Sequence, residues 1–224
     1  MRRALARRGG GIVLSVLCAA PVLAGGLDDV ARLFERNRQQ LRDYVWTSTT
    51  EIALEGERPT VERYEVRVDE NGVQRRTTVP SAAGRGRKAG KRQRQAEELH
   101  DSLRSLVESY VHPAPETTRT LFADPFVWRG EGRIEGVTRL QARNVVREGD
   151  QVSLWLETAT ERPTKLEILT SSGGEPVRVT TEFARIDQGP FYPARIVMET
   201  EIKEKRLVVT TANADYRRAE RASP

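Results

Sequence analysis

Apolar residues near the start of the folded chain recur at helical spacing and then switch to alternation. Leu27, Val30, Leu33, Phe34 and Leu41, with Asn37 in phase, predict an amphipathic helix over Leu27–Arg42, and Asp28 and Asp29 suit its first turn. Tyr44–Leu54 then carries strand chemistry: Val45, Trp46, four consecutive Thr/Ser residues and Ile52. Thr60–Val68 alternates with Tyr64, Val66 and Val68 on one face. Asn71-Gly72 signals a tight turn, and Val73–Val79 returns as its partner strand. Pro80–Gln95 has no apolar period and reads as a mobile basic loop. Ala96–Val111 predicts a second helix, with Leu99, Leu103, Leu106, Val107 and Tyr110 as its apolar stripe, ended by His112-Pro113. A short helical turn is expected over Glu116–Phe122.

From Val127 the chain reads as about seven strands: Val127–Ile134, Val137–Arg147, Gln151–Ala159, Lys165–Leu169, Val177–Ile186, Ala194–Ile202 and Leu207–Asn213. Gly149-Asp150, Ser171–Gly174 and Gln188–Pro190 punctuate them. Their alternation suits an antiparallel sheet with one wet face. The expected fold class is α+β: one curved antiparallel sheet, an open half-barrel, with two or three helices on its concave side.

The residues before the first helix are of another kind. Arg2, Arg3, Arg7 and Arg8, the apolar stretch Ile12–Leu23, and Val22 and Ala24 at −3 and −1 form a signal peptide over residues 1–24. The apolar run is too short for a transmembrane anchor, so no membrane segment is expected after cleavage. The expected organisation is a single domain over 25–216, with a basic loop at 80–95 and a disordered tail at 217–224. Removing the four leader arginines from the formal charge of +5 leaves +1. Six more basic residues, Arg85, Arg87, Lys88, Lys91, Arg92 and Arg94, cluster in the loop, and without them the remainder is −5. This is a local patch rather than a basic protein, which argues against a nucleic-acid partner. The patch could meet anionic lipid heads or lipopolysaccharide phosphates, or it could be a solvated loop. It lacks the interleaved aromatics of a single-strand stacking surface.

The only cysteine, Cys18, lies in the leader, and Leu17 precedes it where lipidation wants a small residue. The mature chain therefore has no disulfide, thiolate metal site or Cys nucleophile. Together with the leader, this points to a bacterial periplasm or cell envelope. No catalytic constellation is legible, and no metal or cofactor is expected. His100 and His112, the only histidines, read as helix-surface or helix-end residues. Glu199 and Glu201 share a strand face and read as solvated. Trp46, Trp128 and Trp155 could line an apolar cavity or pack in the core.

Three stretches carry a family resemblance: Leu27–Leu54, the run Gly189-Pro190-Phe191-Tyr192-Pro193-Ala194-Arg195-Ile196-Val197-Met198, and the closing strand Leu207–Tyr216. With them the chain resembles the LolA/LolB-like periplasmic lipoprotein carriers, whose open half-barrel encloses an apolar cavity. It departs from the carriers in the basic loop. It also departs at Arg63–Val68, which lacks their Leu-Trp-x-x-Arg-Pro-x-x-Phe-Arg-Trp segment. The closer likeness is to uncharacterised exported relatives. The resemblance implies a non-enzymatic protein that binds a lipid or lipoprotein acyl chain. Phe34, Trp46, Leu103, Trp128, Leu154 and Met198, chosen by amphipathic phase, are the candidate cavity wall. The alternative is an envelope sensor or protein-interaction module with no cavity ligand; a hydrolase with an unrecognised site is a third reading.

Overall fold

The computed structural model describes residues 26–69, 73–80, 129–134, 136–172 and 174–219, together with 98, 100, 101, 104, 107, 108, 110 and 111. The expected leader, the basic residues Arg85, Arg87, Lys88, Lys91, Arg92 and Arg94, the turn at Glu116–Phe122 and the last five residues lie outside these.

The first helix, α1, runs Gly26–Leu41 and buries Val30, Asn37 and Leu41. Ten strands follow: β1 Tyr44–Leu54, β2 Thr60–Val68, β3 Gln74–Thr78, β4 Arg129–Ile134, β5 Val137–Arg143, β6 Gln151–Glu157, β7 Pro163–Ser172, β8 Glu175–Arg185, β9 Phe191–Ile202 and β10 Lys205–Arg218. They form one open antiparallel sheet in the order β3-β2-β1-β10-β9-β8-β7-β6-β5-β4. Every neighbour is consecutive in the chain except the pair β1–β10, which joins an N-terminal three-stranded meander to a C-terminal seven-stranded one.

One complete helix is seen among the described residues, fewer than the two or three expected. Between 98 and 111, Glu98, His100, Asp101, Arg104, Val107, Glu108, Tyr110 and Val111 are helical. β5 stops at Arg143, short of the expected Arg147. Asn144 takes φ 55°, its side chain accepts from the Gly149 amide at 2.7 Å, and the chain turns there instead of extending. β7, β9 and β10 run longer than their apolar patterns suggested, because hydrogen-bonded neighbours on both sides hold polar residues in the ladder.

Strict register lines up one face of the sheet across many strands. One row crosses eight strands as Thr60, Ile52, Val209, Met198, Val179, Ile168, Val152 and Ala142. The next reads Glu62, Thr50, Thr211, Ile196, Thr181, Leu166, Leu154 and Leu140. Because side chains alternate with period two, all of these share the inner face. The core gathers there, with Ile52, Leu156, Leu207 and Val30 fully buried.

Two anchors hold the helical residues to the sheet. The Asn37 side chain donates to the Phe191 carbonyl and accepts from the Phe191 amide, both at 2.8 Å, satisfying the start of β9. Phe34 packs edge-on against Phe191 at 5.3 Å, and Phe183 does so from the other side at 5.9 Å. Further along, the Tyr110 hydroxyl donates to Asp150, which is 1 % exposed in the β5–β6 turn and also accepts from the Thr170 hydroxyl and the Arg147 amide.

Candidate functional site

A cavity of about 50 Å³, partly open to solvent, lies between the second set of helical residues and the inner face. Its floor comes from β1, β9 and β10, and the edge strand β3 supplies one side. Val107 and Val111 from the helix and Ile196, Met198 and Val209 from the sheet are its apolar wall. Ser48, Thr211 and Asn213 on the floor, Gln74 and Arg76 on β3, and His100, Arg104 and Glu108 on the helix are its polar wall. Residues 100, 104, 107, 108 and 111 follow helical spacing, so one stripe of that segment faces the space.

The position of the cavity follows from the register. Along the row from Glu62 to Leu140, the inner face is polar through Thr50 and Thr211 and apolar from Leu166 onward. The cavity sits where the two chemistries meet. Thr50 and Thr211 satisfy each other through hydroxyls 3.0 Å apart, and Asn213 donates to the Pro193 carbonyl at 2.8 Å.

The charged wall is held by ion pairs that reach outward. Arg76 bonds Glu108 at 3.0 Å, tying the edge strand to the helix. Arg104 pairs with Asp101 at 2.9 Å within the helix. His100 is 8 % exposed, which corrects its reading as a surface or helix-end residue. Burial holds its imidazole below the ordinary range; Arg104 and Arg76 push the same way, and Asp101 and Glu62 oppose them. Burial likewise works against the charge of Arg76, and Arg104 adds to it. Tyr64, which donates to Glu62 at 2.8 Å, is raised by burial and by that bond.

The expected site residues are dispersed. Met198 lines the cavity. Phe34 packs on Phe191 beside α1. Trp46 is 4 % exposed and stacks on Tyr216 at 5.2 Å, beside a bulge where β10 carries one extra residue with Asp215 at φ 56°. Leu154 is 2 % exposed in the apolar core. Leu103 and Trp128 lie outside the described residues. Trp155 is on the opposite face of the sheet, between Arg139 at 5.0 Å and Lys165 at 4.7 Å, and is not a cavity residue. The cavity residues that the apolar pattern passed over include, on the helix, His100, Arg104 and Glu108. Their i, i+4, i+8 spacing, one position beyond Leu99, Leu103 and Val107, was the available signal.

Among the described residues, no group of three or more His, Cys, Asp or Glu could hold a metal ion. None of their helices is long and apolar enough to cross a membrane.

No protein-family model and no curated protein matches the chain. Solved structures do. A LolA superfamily protein from Nitrosomonas europaea aligns at 15% identity with a TM-score of 0.44, covering 86% of this chain and 94% of that one. A protein domain from Vibrio parahaemolyticus named for outer membrane lipoprotein sorting aligns at 13% identity and TM-score 0.41, over 87% and 92%. A DUF1329 family protein from Desulfovibrio piger aligns at 10% identity and TM-score 0.42, over 88% and 95%.

Proposed function

We propose that this is an exported, non-enzymatic binding protein that takes a lipid-like amphiphile between its sheet and the helical residues of 98–111. One observation carries the reading: the cavity has an apolar wall of Val107, Val111, Ile196, Met198 and Val209 facing a polar wall of Arg76, His100 and Arg104. A ligand matching it has a short apolar part and a polar part. The leader over residues 1–24 and the thiol-free remainder put such a protein in a bacterial periplasm or cell envelope.

The size of the cavity limits how binding works. A water needs about 10–15 Å³ of such space, so 50 Å³ holds roughly four waters and not an acyl chain. A tail must therefore part the helical residues from the sheet. Each buried methylene contributes about 0.8 kcal/mol, against association costs of about 4–15 kcal/mol. About five to nineteen buried methylenes balance those costs, so a ten-carbon tail lies within the range.

The same small volume favours a second reading, a protein-interaction module of this fold that carries no ligand. Native mass spectrometry and lipid extraction of protein from the envelope fraction separate the two. The expected result is a co-purified amphiphile, or uptake of labelled fatty acid. A clean apo mass with no uptake gives the interaction module the stronger claim.

A further inference from the structure

If the cavity takes an amphiphile, as proposed above, its polar end decides which head group enters. Three basic side chains converge there: Arg76 from the edge strand β3, and His100 and Arg104 one helical turn apart. Each arginine is paired to an acid that is partly or largely open to solvent, and one of these, Glu108, also lines the cavity. Asp101, on Arg104, is 66% exposed, and Glu108, on Arg76, is 41% exposed. Glu62, the other nearby acid, accepts the Tyr64 hydroxyl. The Nε–H of Arg104 is buried and has no acceptor among the described residues. A buried guanidinium donor without an acceptor is costly, and an oxyanion is the acceptor it bonds most strongly. The basic groups also oppose one another: Arg104 works against charge on both His100 and Arg76. A negative charge set among them would turn that mutual repulsion into attraction.

We infer that the polar end of the cavity is an oxyanion site, in which Arg76, Arg104 and His100 hold the carboxylate or phosphate head of the amphiphile while Val107, Met198 and Val209 meet the start of its tail. Space for roughly four waters suits such a head without any movement of the sheet. The head seats in the space already present, and the tail follows by lifting the helical residues.

The test compares three probes of equal chain length, decanoate, decyl phosphate and decanol, titrated calorimetrically into the purified full chain and into R104Q. At least one anionic probe is expected to bind about tenfold or more tightly than decanol, the range of a charge-assisted hydrogen bond. R104Q is expected to lose about tenfold for that anion and to keep decanol affinity within about twofold. The better of decanoate and decyl phosphate identifies the head. Equal affinity for decanol and both anions would overturn the oxyanion site and leave the amphiphile reading standing. Binding of none of the three would overturn both. Because Arg104 also holds Asp101, R104Q can loosen the helix, so the wild-type protein supplies a second readout. Saturating decanoate or decyl phosphate should raise the titration midpoint of the His100 imidazole by NMR, and decanol should not. An unmoved midpoint at saturation with the anion counts against the site.

Discussion

The two halves of the inner face belong to one sheet with a continuous register, yet they do different things. Toward β5–β8, Leu140, Leu154, Leu156, Ile168 and Val179 are all below 4% exposure and belong to one apolar cluster. Toward β1–β3 and β10, Ser48 and Thr50 are as deeply placed but polar, Asn213 is nearly so, and the surface opens into the cavity with Arg76, His100 and Arg104 around it. Burial alone does not separate the two regions. The first spends its buried positions on packing. The second sets hydrogen-bonding groups among apolar residues such as Ile52 and Leu207, and those groups add little net stability and fit a site that exchanges contacts with a ligand.

The largest break in this comparison comes from the packed half. Leu156 is 0% exposed on β6, paired across to Thr138 on β5, so truncation leaves a cavity that rigid neighbouring strands cannot close. Leu156→Ala is expected to cost about 2–5 kcal/mol, read as a fall in the urea midpoint with unchanged slope. Ligand affinity per folded molecule should stay within twofold. A cost below 1 kcal/mol would show that this half is not sealed.

The anchors between helix and sheet come next. Asn37→Ala leaves the Phe191 amide and carbonyl without their side-chain partners, at a site where Asn37 is 8% exposed. The expected loss is about 2–3 kcal/mol, since two buried backbone groups go unpaired. Amide hydrogen exchange should place the added opening at α1 and the start of β9. Exchange that rises instead over β5 and β6 would mean that α1 stabilises the packed half directly.

How far the sequence announced this comparison depends on the half. Alternation of Val152, Leu154 and Leu156 marked the packed strands plainly, because a buried apolar face repeats with period two whatever the tertiary context. The bounds of β1 and β2 were legible for the same reason. The pairing of β1 with β10 was not, since register between distant strands leaves no local pattern. The polar half was harder still. Thr47, Ser48, Thr49 and Thr50 read only as strand formers, and nothing local says that Ser48 and Thr50 face inward while Thr47 and Thr49 do not. His100 was misread because a histidine among acids on a helix looks solvated until the sheet is laid against it. Composition likewise left Trp155 open between cavity and packing, because its cationic neighbours come from the adjacent strands β5 and β7.

His100 also gives the comparison a pH signature. Burial and Arg104 hold its imidazole below the ordinary value of 6.5 in the folded protein. As pH falls past 6.5 the unfolded chain takes up this proton first, so the fold is fully stable above that value and loses stability below it. The loss levels off once the folded imidazole also protonates. One proton limits the slope to about 1.4 kcal/mol per pH unit. Urea midpoints measured from pH 7.5 down to 5.5 should fall more steeply in the wild type than in H100Q. Parallel profiles would mean that His100 reaches solvent as freely in the folded chain as in the unfolded one.

The smallest expected effect sharpens the comparison most. Thr50 is 1% exposed, and its hydroxyl meets at 3.0 Å that of Thr211, which lines the cavity. Replacing one of them strands the other, so Thr50→Val alone is expected to cost about 1 kcal/mol. Replacing both removes donor and acceptor together and leaves two β-branched side chains of similar shape in the same strand positions. T50V/T211V should therefore lie within about 1 kcal/mol of the wild type, and it can be the more stable protein. Its anion affinity is the informative quantity. The double variant carries the apolar chemistry of the packed half into the polar half without opening a void. If the polar floor serves the ligand head, decanoate or decyl phosphate should lose affinity while decanol holds or gains. A variant several kcal/mol less stable would show the opposite, that these hydroxyls hold the fold together and that the two halves differ in composition but not in role.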